Sequence, residues 1–148
     1  MARWLDKSTF FLLALLVLLS PIPLASNRDW SWSLLAFLAA ALVLAWLLAA
    51  LLSRRRLFTG LHPLIPLLFL LALAWAWLQA QSWMPDGWKH PVWELAASAL
   101  GTPLPGAISV APEDNYTAIM RLLTYGLVFF LAFQLARDRL IAQKAFRW

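Results

Sequence analysis

Long apolar runs separated by short polar stretches dominate the chain. Phe10–Leu19 is unbroken and continues through Ser20-Pro21-Ile22-Pro23-Leu24-Ala25; Trp30–Leu52 holds 23 residues without a charge; Leu64–Gln79 follows His62-Pro63; and Ala118–Ala136 ends at Arg137-Asp138-Arg139. At 1.5 Å per residue the second run is about 35 Å long, enough to cross a bilayer with some tilt. The third is near the lower limit for a span. Pro63 and Pro66 stand at its start, where missing amide donors cost least. The pattern predicts an all-α polytopic membrane protein, a single membrane domain with spans at about 9–25, 30–52, 64–80 and 118–136. The charged start and short apolar core of the first run also fit a secretory signal. Pro23 and Ala25 make a poor cleavage site, so the first helix is expected to be retained.

Between the third and fourth spans, residues 81–117 form the one segment with room for structure outside the bilayer. Met84-Pro85-Asp86-Gly87 reads as a turn, and His90-Pro91 opens a short helix that Gly101 closes. Trp93, Ala97 and Leu100 share one side of it, Glu94 and Ser98 another, which suits a helix lying in the membrane interface or a lid packed on the spans. Thr102-Pro103-Leu104-Pro105-Gly106 is a rigid connector, Ile108–Val110 is at most a short extended piece, and Pro112-Glu113-Asp114-Asn115 supplies acids and a cap for the fourth span.

Composition agrees: 63% of the 148 residues are hydrophobic and 13% charged, with mean hydropathy +0.73, well above a soluble domain. The net charge of +5 is divided among membrane flanks and leaves no basic face for nucleic acid. Arg3, Lys7, Arg54, Arg55, Arg56, Arg137, Arg139, Lys144 and Arg147, nine of the twelve basic residues, fall on one side of the predicted spans. Basic residues are retained on the cytoplasmic side, so both termini are expected there and the 81–117 loop on the opposite, outer side. The tryptophans gather toward the outer ends, at Trp30, Trp32, Trp75, Trp77, Trp83, Trp88 and Trp93. They read as an aromatic belt, with a sugar-binding platform as the rival reading. Ala41, Ala45 and Ala49, and Ala72, Ala76 and Ala80, form small-residue stripes that favour a closely packed bundle.

Candidate chemistry is sparse. The chain has no cysteine and two histidines, His62 and His90, which leaves no expected metal site or cofactor. There is no Gly-rich phosphate loop, no G-x-S-x-G, no H-E-x-x-H and no pair of ionisable residues in mid-span, which disfavours an ion pump or proton-coupled carrier. Arg121 lies one turn after Thr117 and one turn before Tyr125, near the outer end of the fourth span. A cation there opposes the helix dipole and needs a counter-charge, from Glu113, Asp114 or a phosphate. Arg28, in the outer turn Ser26-Asn27-Arg28-Asp29, has the same two readings, structural and ligand-binding.

Three stretches together resemble the N-terminal region of the bacterial O-antigen ligase and O-antigen or exopolysaccharide polymerase family. They are Pro23-Leu24-Ala25-Ser26-Asn27-Arg28-Asp29-Trp30-Ser31-Trp32, His90-Pro91-Val92-Trp93, and Ile108-Ser109-Val110-Ala111-Pro112 leading to Arg121-Leu122-Leu123-Thr124-Tyr125 and Leu135-Ala136-Arg137-Asp138-Arg139. The resemblance implies a location in the bacterial inner membrane and a part in transferring glycan from an undecaprenyl-diphosphate carrier on the periplasmic face. It makes Arg28 and Arg121 the candidates for contacting the carrier diphosphate, and membrane lipids and the remaining transferase helices the expected partners. The large catalytic loop of that family falls beyond Trp148, so no catalytic residue carries over and this segment is not expected to act alone. The alternative is a stand-alone, non-enzymatic four-helix scaffold or accessory subunit of another membrane protein. An oligomeric pore lined by Ser, Thr and Gln is a third reading.

Overall fold

A computed structural model describes residues 2–21, 29–54 and 60–136. It is all-α: α1 (Ala2–Leu19), α2 (Asp29–Leu52), α3 (Leu64–Gln79), α4 (Val92–Leu100) and α5 (Pro112–Leu135), with a 3-10 turn over Asp86–Trp88. No strand occurs among the described residues, and Ile108–Val110 is a series of bends. Arg28, the Pro23–Ala25 stretch, Arg55, Arg56 and the basic flank from Arg137 onward lie outside the described residues.

Helix limits depart from the predicted spans where termini were read from charge. The first helix begins at Ala2, with Asp6 and Lys7 inside it, because Arg, Lys and Leu are good helix formers and nothing in that stretch breaks the chain. It stops at Leu19 because Pro21 disfavours helical geometry at Ser20. The last helix begins at Pro112, six residues ahead of the predicted start, with Glu113 and Asp114 in its first turn. Proline at the first helical position lacks an amide that would be unpaired anyway, and the two acids suit the positive helix end. Asn115 therefore sits inside the helix and does not cap it. Among the described residues two helices, over Trp30–Leu52 and Pro112–Leu135, are long and apolar enough to cross a membrane; α3 is a shorter apolar helix.

The chain divides into two compact units. One comprises the chain through Gly60 together with Leu123 onward, and the other is Leu61–Leu122, so α5 contributes residues to both. In the first unit α1 and α2 pack together. Its core joins Leu13 of α1, Val43, Trp46 and Ala50 of α2, and Leu131 and Leu135 of α5, with Leu131 fully buried. Phe10, Leu127, Val128 and Phe130 pack around this core, and Trp46 meets Phe130 edge-on at 6.2 Å between ring centroids. The buried side of α2 runs Ala39-Val43-Trp46-Ala50, a helical stripe displaced from the predicted one; Ala41 and Ala45 are exposed. Trp46 decides which face packs, because the largest apolar side chain gains most by burial and brings its own helical neighbours inward with it.

Beyond α2, Arg54 takes a left-handed conformation (φ 49°) and its amide bonds to the Leu51 carbonyl, ending the helix. Large apolar side chains stay exposed along the outside of the helices, among them Phe37, Leu44, Leu48, Leu68, Leu70 and Leu71. None of the residues of α3 is buried.

Candidate functional site

Gln79, Ser109 and Asn115 of the second unit gather where the end of α3 meets the start of α5. Sequence places Gln79 and Ala80 as the last residues of an apolar helix, leaving carbonyls without intrahelical donors. Those carbonyls are met by later parts of the chain. The Asn115 side-chain amide donates to the Ala76 carbonyl at 2.9 Å and approaches Gln79 Oε1 at 3.5 Å; the Ser109 amide donates to the Gln79 carbonyl at 2.9 Å. Ser109 Oγ donates to Asn115 Oδ1 at 2.9 Å and accepts from the Ala111 amide at 3.2 Å. One asparagine and one serine thus tie α3, the loop and α5 into a single network. Ala76 and Ala80 allow this approach: Ala80 is buried, and Asn115 reaches the Ala76 backbone.

The loop is closed over this network by α4. Trp93 is partly buried and donates its Nε1 to the Ser109 carbonyl at 3.1 Å, while the His90 amide donates to the Ala107 carbonyl at 2.9 Å. Gly106 stands against the Trp93 ring; an added Cβ would lie 3.0 Å from Trp93 Cβ and 3.1 Å from Cγ. Gly101 ends α4 in the left-handed region (φ 66°), where a side chain would be strained. Of the side chains placed on one face, Trp93 and Ala97 turn partly inward and Leu100 is exposed, because α4 stops there. Glu94, Leu95 and Ser98 are exposed. Among the two readings of α4, packing as a lid accounts for its Trp93 side.

The two histidines share one local geometry. In each His-Pro pair the imidazole Nδ1 accepts an amide two residues on, from Leu64 at 3.3 Å to His62 and from Val92 at 3.2 Å to His90. Both rings therefore complete a helix start. Lys89 donates to Asp86 at 2.7 Å, and that ammonium, by hydrogen bond and by charge, holds the Asp86 carboxyl below its ordinary value of 3.8. Among the described residues no group of three His, Cys, Asp or Glu is placed to hold a metal ion.

Arg121 is six residues beyond Asn115 on α5, partly buried, with its Nε shielded from solvent. Thr117 is likewise partly buried, Tyr125 is exposed, and Glu113 and Asp114 are exposed in the first turn. Tyr125 meets Trp32 of α2 edge-on at 5.8 Å between centroids. Of the two candidate arginines, the structure describes Arg121; Arg28 is outside the described residues. Sequence reasoning missed Asn115 and Ser109 as organisers of the outer loop. Their signal was an amide and a hydroxyl flanking Pro112 at a helix start, a pattern that also serves ordinary capping. Compared with known protein families, with characterised proteins and with solved structures, the chain matches none.

Proposed function

We propose that this chain is a helical membrane segment of an O-antigen ligase or polymerase-like protein, serving the transfer of lipid-carrier-linked glycan in cell-envelope polysaccharide assembly. Its place is the bacterial inner membrane, with α1, α2, α3 and α5 in the bilayer, both termini cytoplasmic and the loop under α4 periplasmic. The observation that carries the membrane part is the outer surface of the helices. Leu68, Leu70 and Leu71 of α3 and Phe37, Leu44 and Leu48 of α2 are exposed in numbers that water would not tolerate and lipid would. The glycan part rests on the resemblance of the three quoted stretches. Arg121 supports it: a partly buried guanidinium near the outer end of an apolar helix suits a phosphate that approaches from the periplasmic side. In this reading Arg28 and Arg121 contact the carrier diphosphate, the catalytic groups belong to further helices, and the segment is not catalytic alone.

Two measurements test it. Reporter fusions after Ser53, Gly101 and Trp148 should read cytoplasmic, periplasmic and cytoplasmic, and a periplasmic signal at Trp148 would overturn the four-span arrangement. Arg121→Ala in the product expressed from the native locus should lower glycan transfer at least tenfold with protein abundance unchanged. Unaltered transfer would remove Arg121 from the site.

The second reading is a non-enzymatic scaffold or accessory subunit, and α3 is the observation that favours it. A sixteen-residue apolar helix without a fully buried residue, with Leu64, Ile65, Leu67, Leu68, Leu70 and Leu71 exposed, leaves apolar surface for a partner helix. An N-terminal tag at the native locus discriminates between the two readings. A product several times larger than 16.7 kDa supports the transferase, whereas a stable 16.7 kDa product with a co-purifying membrane partner supports the scaffold.

A further inference from the structure

Within the first unit, α1 and α2 leave a groove of about 530 Å³ between them. Its walls are almost entirely apolar, with Leu12, Leu16, Leu35, Leu38 and Ala41 along its length and Ser31 at one end. Two serines line that end, and they differ. Ser20 Oγ donates to the Val17 carbonyl at 2.8 Å, as a helical serine commonly does. Ser31 is 2% exposed, and among the described residues its Oγ has no hydrogen-bond partner. A buried hydroxyl that bonds to nothing is rare enough to require an explanation, and an absent ligand atom is one.

The position of Ser31 narrows the chemistry. It lies between Trp30 and Trp32 near the start of α2, the residues expected at headgroup level, while the rest of the groove descends along the apolar helix. From Ser31 to Ala45, which also lines it, the groove follows α2 for about 21 Å at 1.5 Å per residue. That exceeds the roughly 15 Å that one leaflet contributes to the hydrocarbon core. Sites for small ligands combine this size of apolar cleft with one or two placed polar groups. The ligand that fits is a long hydrocarbon chain with a hydrogen-bond acceptor where the chain joins its head.

We infer that the α1–α2 groove binds the acyl chain of an ester lipid, with Ser31 Oγ donating to the ester carbonyl. The inference rests on the membrane reading of the preceding subsection and is independent of the glycan reading. A polyisoprenyl chain fits the apolar walls and offers no carbonyl to Ser31. An alkyl ether lipid has the same length and lacks that acceptor.

The test uses the full chain reconstituted in phospholipid vesicles with two photoreactive single-chain phospholipids carrying a mid-chain diazirine, one acyl ester and one alkyl ether. Crosslinked peptides are then mapped. The ester probe should label the groove faces of α1 and α2 several-fold above the ether probe. Ser31→Ala should reduce ester labelling to the ether level, Ser31→Thr should retain the preference, and Ala41→Phe, which fills the groove from an exposed position, should remove labelling by both. Equal labelling by the two probes in the unaltered protein would overturn the inference. So would an ester preference that survives Ser31→Ala, labelling of α3 as strong as that of the groove, or preferential capture of a polyisoprenyl phosphate probe. Retention of the protein in vesicles after alkaline washing separates the two levels. Release overturns the membrane reading and this inference with it, whereas retention without ester preference overturns only the groove.

Discussion

The indole Nε1 of Trp46, on α2, donates to the Asp6 carboxylate on α1 across 3.4 Å, while the same ring meets Phe130 of α5 edge-on. One side chain therefore fills the core and fixes the pairing of two helices. The hydrogen bond is long and the burial extensive, so packing should dominate. Trp46→Phe is expected to cost about 1 kcal/mol, the net value of a hydrogen bond, and Trp46→Ala roughly 3–5 kcal/mol. Denaturant titration in micelles, followed by helical ellipticity, measures both; equal losses would assign the energy to the Asp6 contact.

Asn115 should be the most sensitive polar residue of the outer loop. Asn115→Ala removes the donor to the Ala76 carbonyl and the acceptor of Ser109 Oγ, which keeps its bond from the Ala111 amide, at a cost of about 1 kcal/mol for each hydrogen bond lost. Because the network closes the 81–111 loop, the visible effect is proteolysis there ahead of cleavage elsewhere. Asn115→Asp retains the acceptor for Ser109 and loses the donor to Ala76, and it should show a similar defect.

Gly106→Ala introduces a Cβ 3.0 Å from the Trp93 Cβ, which belongs to the root of that side chain and cannot swing away. Overpacking of this kind costs about 1–3 kcal/mol. Trp93 should become more exposed, read as a red shift of tryptophan emission relative to the same change in a Trp93→Phe background.

The sign of the Asp86 contribution follows from its lowered pKa. Unfolded, the carboxyl takes up its proton near 3.8; folded, Lys89 keeps it ionised to lower pH. The contact is therefore at full strength above the ordinary value and is lost as pH falls through the folded one. Amide protection factors at Trp88 and Lys89, whose N–H groups bond to the Pro85 and Asp86 carbonyls, should fall across that acidic range and stay constant across it in Asp86→Asn.

Arg54 carries a left-handed backbone that glycine adopts without cost. Arg54→Gly should stabilise the end of α2 by about 1 kcal/mol, the scale of the left-handed penalty for a residue with a Cβ. The same change removes a positive charge from the predicted cytoplasmic flank, and reporter fusions after Ser53 would show whether orientation suffers.

Helices were legible in the sequence wherever one signal acted alone. The charge-free run from Trp30 to Leu52 and the Pro91–Gly101 bracket around α4 gave boundaries within a residue of those observed. Limits shifted where charges lay inside a helix: Asp6 and Lys7 read as a polar flank, and Glu113 and Asp114 as a loop, although each is compatible with helical geometry at that position. The alanine stripe misled because spacing alone cannot choose among the faces of a helix that is apolar all round. Trp46 made that choice through tertiary packing. The tie from Asn115 to the Ala76 carbonyl spans 39 positions, and a contact so distant leaves no periodic trace in either segment.

The length of α3 has a mechanical consequence. Sixteen residues at 1.5 Å each make about 24 Å, short of a hydrocarbon core of about 30 Å. In a bilayer this hydrophobic mismatch must be relieved by thinning the lipid around the helix or by drawing a second short helix against it. If α3 crosses the bilayer, Trp75 and Trp77, half exposed near its C-terminal end, would fix the depth from which that deformation is measured. The elastic stress would then fall on a helix with no fully buried residue, so membrane thickness as well as sequence would govern how many neighbours α3 keeps.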